Sequence, residues 1–208
     1  MSTFEVLTEV MKERKSVRKY QSDVVMPQED LQEILALAAS APSSWNLQHW
    51  RYLVITSVEK KEKLLPIANY QKQVVDASVT VVILGDLEAN KMVEAVNGPA
   101  LEKGFLTQEV YDILNGQIQG AYDNNPRVAR DEAILNAGFS AMQLMLAAKA
   151  KGYDTCPMGG FKQDQLIEEF KIPERYLPVM MITIGKPASP AYPTGRLPLD
   201  QLVIQESF

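Results

Sequence analysis

Val79-Thr80-Val81-Val82-Ile83-Leu84 is the stretch on which the fold turns. It is β-branched and almost wholly apolar, with no polar alternation, and so predicts a strand covered on both faces. Such a strand sits inside a sheet between layers of helix. Upstream, residues 52–56 (YLVIT) predict a second buried strand, and residues 58–68 a helix between the two. Downstream, residues 131–151 carry Ala133, Ile134, Ala137, Ala141, Met142, Leu144, Met145 and Ala148, apolar nearly all round, as in a buried helix. Gly138 and Ala141 leave room for a neighbouring helix, and Gly152 stands in the usual C-terminal position. A short strand or loop is expected over 153–158, a helix over 163–170 and a strand over 179–184. Strands separated by helices give an α/β or α+β layer structure around one sheet.

The flanks extend this single domain over residues 1–208. Phe4, Leu7, Val10 and Met11 have helical spacing over 3–12. Pro27 opens another helix, with Glu29 and Asp30 in its first turn and a stripe of Leu31, Ile34, Leu35 and Ala38; Pro42 stops it. Residues 87–130 are weakly patterned and interrupted at Glu94, Gly98, Pro99, Gly104, Gly116 and Gly120. They predict a mobile helical excursion over a site, with one helix starting at Thr107. Residues 187–208 read as an extended, proline-containing arm. Leu197, Leu199, Leu202, Val203 and Ile204 make it too apolar to hang free, and a second subunit is one surface it could pack on.

Bulk properties exclude several classes. A net charge of −5 argues against a general nucleic-acid binder. A single cysteine, Cys156, rules out an internal disulfide framework and fits a reducing compartment. A single histidine, His49, excludes a His-based metal cluster within the chain. No apolar run is long enough for a bilayer, and the start lacks a signal-peptide core. The expectation is a soluble cytoplasmic protein with no metal, no nucleic acid and no membrane partner.

Chemistry concentrates in four segments. Arg14-Lys15-Ser16-Val17-Arg18 places three cations and a hydroxyl together against the acidic trend of the chain. Guanidinium forks and a hydroxyl suit phosphate oxygens, although a solvated helix end has the same composition. Residues 41–50, APSSWNLQHW, form a helix-to-strand loop rich in amides and hydroxyls. Asn46 and Gln48 could meet a heteroaromatic edge or satisfy their own turn. Residues 155–161, TCPMGGF, pair glycines that allow backbone to approach a ligand closely, or simply join a strand to the next helix. Arg196, in GRLPLD, is an isolated cation suited to an anion or to a structural ion pair. Neither GxGxxG nor GxxxxGK[ST] occurs, so a nucleotide would be held some other way.

These segments, in this order, resemble the FMN-dependent nitroreductase family over nearly the whole chain: R-x-S-x-R, A-P-S-x-x-N-x-Q-x-W, C-P-M-G-G-F and the late G-R-L-P-L-D. The resemblance implies an α+β fold with a central mixed, mainly antiparallel sheet covered by helices. It also implies an intertwined homodimer with two FMN sites at the subunit interface. Carried over residue by residue, Arg14 and Ser16, beside Lys15, would bind the FMN phosphate and Arg196 would complete that site. Arg18 would lie near the pyrimidine oxygen and nitrogen. Pro42, Ser43 and Asn46 would line the isoalloxazine from the partner subunit, with Gln48 nearby. Gln71 or Gln73 would fill an amide position at the pyrimidine edge. Pro157, Met158, Gly159 and Gly160 would run along the ring, with a backbone N–H near Gly159 or Gly160 facing flavin N5. Lys186 is a further ring or phosphate contact.

The implied activity is ping-pong reduction of nitroaromatics or quinones by NADH or NADPH, with chemistry borne by the flavin and no catalytic side chain. Phe105, Tyr111 and Tyr122 are candidates for lining the acceptor pocket. The alternative is an FMN-binding protein that stores or senses the cofactor. The chain departs from the common pattern at His49, where many relatives have proline, and at Gly159, where some branches have an acid.

Overall fold

The computed structural model describes all 208 residues. Its centre is a four-stranded sheet of β1 (Trp50–Ile55), β2 (Val79–Asp86), β3 (Asp154–Met158) and β4 (Tyr176–Gly185), in the order β1-β2-β4-β3. Every neighbouring pair is antiparallel. The expected mixed character reduces to an isolated parallel bridge between Ser16 and Thr155. The VTVVIL stretch is β2, buried at every position.

Both faces of β2 are covered, as its composition requires. On one face Val79, Val81 and Ile83 pack with Leu31, Ile34 and Ala38 of α2 (Gln28–Ala39) and with Ala137, Ala141 and Leu144 of the long helix Val128–Ala150. On the other, Val82 and Leu84 meet Leu64 and Ile67 of α3 (Val58–Ile67) and Leu166 of the helix Gln163–Phe170. The remaining helices are α1 (Thr3–Glu13), α4 (Gln73–Asp76), α5 (Val93–Glu102) and α6 (Gln108–Asn124), so the two helices just named are α7 and α8. Gly85 lets α7 lie directly on the sheet. A Cβ there would stand 2.8 Å from the Ala133 carbonyl oxygen.

Residues 87–130 are more regular than expected. Gly98 and Pro99 lie inside α5, and Gly116 and Gly120 inside α6. Only Gly104, at φ 72°, marks a break between helices. The excursion packs through a small cluster of Leu47, Ala89, Val93 and Ile118. The arm is tied at its root, where Ala188 N–H donates to the Lys19 carbonyl and Gln21 Nε2 to the Pro187 carbonyl. Beyond residue 191 every residue is exposed. No helix is long and apolar enough to cross a membrane.

Candidate cofactor site

The basic segment begins where α1 ends. A Ser2–Glu5 capping box starts that helix, and Arg14 ends it by donating its own N–H to the Val10 carbonyl. The chain then runs extended beside β3, with Val17 N–H bonded to the Thr155 carbonyl at 3.0 Å. Successive side chains of an extended segment point to opposite sides. Arg14, Ser16 and Arg18 therefore share one side. Lys15 and the buried Val17 share the other, where both line a cavity of about 460 Å³ with Glu13, Lys149, Asp154 and residues 187–191. The structure thus separates Lys15 from the three residues it was grouped with. None of Arg14, Lys15 and Arg18 has an acid within ion-pair distance, although the chain carries 26 Asp and Glu. The Arg18 charge reaches β3: it opposes the burial that pushes the Cys156 thiol up, and it opposes the same effect at Tyr20.

At the end of β3, Pro157 and Met158 pair with Ile182 and Met181. Gly159 and Gly160 follow, both exposed. Their N–H groups donate to no protein acceptor, and no atom lies within 4 Å of where a Gly159 Cβ would stand. The Gly160 carbonyl points inward and accepts from Gln71 Nε2 at 3.1 Å. Gln73 is buried and donates to Gln71 Oε1 at 3.2 Å. Both glutamines thus hold this turn.

The 41–50 loop is strained. Trp45, Asn46 and Gln48 have φ of 50°, 57° and 50°, a region that costs non-glycine residues about 1–3 kcal/mol each. Ser43 Oγ accepts from Gln48 N–H at 3.0 Å, and buried Asn136 of α7 accepts from Ser44 N–H at 2.9 Å. Asn46 and Pro42 remain exposed. This loop enters β1, whereas the cation segment and the glycine turn lie along β3. Those are opposite edges of the sheet, three inter-strand steps or roughly 14 Å apart. Within one chain the two halves of the predicted site are not brought together.

Two other predicted residues stand apart. Lys186 Nζ donates to the Gly152 carbonyl at 2.6 Å and lies 4.1 Å from the Tyr153 ring centroid, so its charge serves the C-terminus of α7. Arg196 bonds only to Thr194 Oγ1 and the Gly195 carbonyl within the exposed arm.

Residues 11–186 match the model of the nitroreductase family. The chain belongs to the nitroreductase family. It is 50% identical to the Bacillus subtilis protein named "Putative NAD(P)H nitroreductase YodC", over 93% of this chain and 96% of that one. It is 35% identical to the CLA biosynthesis enone reductase of Lactiplantibacillus plantarum, over 91% and 89%. Among solved structures it is similar to a "putative nitroreductase in complex with FMN" from Exiguobacterium sibiricum. The TM-score is 0.90 and the identity 40%, covering 96% of this chain and 97% of that chain.

In this chain the structure adds residues that no motif marked. Asn136 anchors the strained loop from α7, and Asn69, directly after α3, donates to the Gly160 carbonyl at 2.9 Å. An asparagine just past a helix end was the one available signal for Asn69. His49 is fully buried, with Nε2 3.2 Å from the Tyr122 hydroxyl and Nδ1 without a partner. Burial holds its pKa down, so the imidazole is neutral. Tyr122 is thereby tied to the core, Tyr111 packs against the same cluster, and Phe105 is fully in solvent.

Proposed function

We propose that this chain is an FMN-dependent oxidoreductase that uses NADH or NADPH to reduce electron-poor acceptors, nitroaromatics or quinones. It would work as a homodimer with FMN held between the copies. The observation that carries the reading is the free donor set. Arg14, Ser16 and Arg18 share one side of an extended segment without acidic partners, beside a glycine turn with unpaired N–H groups. A guanidinium fork and a hydroxyl fit a phosphate, a second guanidinium is left for the ring, and the open space beside Gly159 leaves room for it. The site is not metal-dependent in this reading.

FMN supplies hydride transfer between a nicotinamide and an electron-poor acceptor. The chain's own residues bind and orient it. Arg14 and Ser16 hold the phosphate, with Arg196 of the arm joining them in the dimer. Arg18, whose charge reaches Cys156 of β3, places positive charge beside the ring. Pro157 to Gly160 form one wall. Pro42, Ser43, Asn46 and Gln48 of the second copy form the other, which accounts for their position at the far edge of the sheet. Lys15 and Lys186 are left out because the structure engages or orients them elsewhere. His49 is buried and uncharged, with Nε2 tied to the Tyr122 hydroxyl, and solvent supplies protons.

Purified protein loaded with FMN should lose its yellow colour on anaerobic addition of NADH or NADPH and regain it with a quinone or nitroaromatic. Protein that stays yellow would be an FMN-binding protein without turnover, and protein that takes up no FMN would end both readings.

A further inference from the structure

The Gly159–Gly160 turn is held by a relay of amides. The Gly160 carbonyl accepts from Asn69 Nδ2 at 2.9 Å and from Gln71 Nε2 at 3.1 Å, which fills both of its lone pairs. A carbonyl only accepts, so the orientation of both amides is fixed. The remaining oxygen of Gln71 accepts from Gln73 Nε2, which also lies 3.6 Å from Met158 Sδ. Lys162 N–H donates to the Ile67 carbonyl at 2.9 Å and pins the far side of the turn to α3.

The support is itself shaped for this task. Asn69 and Tyr70 follow α3 with φ of 54° and 60°, and Tyr70 N–H closes the helix onto the Leu65 carbonyl. Asparagine suits that left-handed position, and the turn carries its side chain to Gly160. A peptide unit is rigid and trans, so its N–H points opposite to its carbonyl. The Gly159 carbonyl accepts from Phe161 N–H. The Gly160 N–H, in the same peptide unit, therefore points away from that bond, and it donates to no protein acceptor.

We propose that Asn69 and Gln71, with Gln73 behind them, are positioning residues that aim the Gly160 N–H at flavin N5 and so set its redox potential. This rests on the FMN reading above. It differs from a direct amide contact with the pyrimidine edge, because one N–H of each amide is spent on the Gly160 carbonyl and acts through the turn. Flavin N5 accepts a hydrogen bond when oxidised and carries its own hydrogen once reduced by two electrons, so a donor fixed at N5 favours the oxidised cofactor. One such hydrogen bond corresponds to about a tenfold ratio of affinities, which is about 30 mV for two electrons.

The test uses FMN-loaded wild type, Asn69→Gly, Gln71→Leu and Gln73→Leu. Asn69→Gly keeps the left-handed backbone while deleting the amide, so it remains informative if Gln71→Leu folds poorly. The midpoint potential is read by dye-equilibrated titration, alongside the affinity for oxidised FMN and the visible spectrum. Asn69→Gly and Gln71→Leu should raise the potential by about 30 mV, with oxidised-FMN affinity falling by no more than about tenfold because the phosphate contacts are intact. Gln73→Leu should shift it in the same direction by less. Wild-type potentials in loaded variants would overturn the positioning role alone. Variants unable to bind oxidised FMN would overturn it too, since the amides would then be ligands. Wild type that takes up no FMN would instead sink the FMN reading.

Discussion

Replacing Arg14 with alanine separates a phosphate site from a solvated helix end. The structure assigns Arg14 no ion pair and no side-chain hydrogen bond, and its capping of α1 runs through a backbone N–H that alanine keeps. The folding cost should therefore be small, about 0.5–1 kcal/mol, mostly the loss of a cation at a helix C-terminus. Binding should respond far more. A charge-assisted hydrogen bond to phosphate contributes about 1.5–3 kcal/mol. Arg14 is only half-buried, so solvent screening favours the low end, about 10- to 30-fold in Kd. Lys15 is next in sequence with the same charge but on the opposite side of the extended segment. Lys15→Ala should change Kd by less than about threefold, the residual effect of a screened charge. FMN titration followed by flavin fluorescence, at low and high salt, measures both. The wild-type affinity should fall with salt and the Arg14→Ala affinity should fall less. Equal effects from the two variants, or an Arg14→Ala protein that binds FMN as wild type does, would refute the alternation argument and the phosphate assignment.

Gly85→Ala would drive a Cβ to 2.8 Å from the Ala133 carbonyl oxygen and 2.9 Å from the Ala133 Cβ. Backbone cannot yield cheaply, so urea denaturation should show a loss of about 3 kcal/mol, at the upper end of overpacking costs. His49 is the only histidine and its folded pKa lies below 6.5. The unfolded chain therefore binds the extra proton first, and stability should fall as pH drops from 7 through 6.5 and below. The slope is at most about 1.4 kcal/mol per pH unit. Urea midpoints at several pH values would show it, and His49→Gln should flatten it. Phe139→Glu puts a charge on the exposed apolar face of α7. In sedimentation it should dissociate the proposed dimer and weaken FMN binding together. A Phe139→Glu monomer with wild-type FMN affinity would show that the site needs only one chain.

How far the sequence could be read follows from which interactions are local. Val79–Leu84 announced a doubly covered strand because burial is written in composition, and Gly152 marked a helix end because its φ of 78° suits glycine. The direction of strand pairing was legible only through the family resemblance, which implied a mainly antiparallel sheet: antiparallel order depends on long-range register, and the same strands and helices satisfy an α/β reading. Gly98, Pro99, Gly116 and Gly120 were misleading as breakers, since neighbouring packing overrides helix propensity. Arg14 and Arg18 were visible as charge and Ser16 as a hydroxyl between them, but the sidedness that removes Lys15 appears only once the segment is extended against Thr155. Asn69 and Asn136 were hidden because each acts on a carbonyl or N–H some 90 residues away in sequence.

The position of α7 joins the site to the proposed association of two chains. Its composition is apolar all round, as in a helix buried on every side, yet Leu135, Phe139 and Met142 are exposed in the single chain. Phe4, Leu7 and Met11 of α1 and Leu197, Leu199 and Leu202 of the arm are exposed as well. An apolar surface of this extent is rare on a monomer and marks an interaction face. The flank of the same helix carries Asn136, which fixes the strained loop at Ser44, and the opposite side carries Ala133 and Ala137, which seat the helix on the sheet. A partner covering the outer face of α7 would thus press on the element that shapes the ring-lining loop. That loop stands at the far edge of the sheet from its own chain's Arg14, Ser16 and Arg18. A second copy is the simplest source of the missing wall, and the face that would recruit it is built on the helix that holds the wall in place.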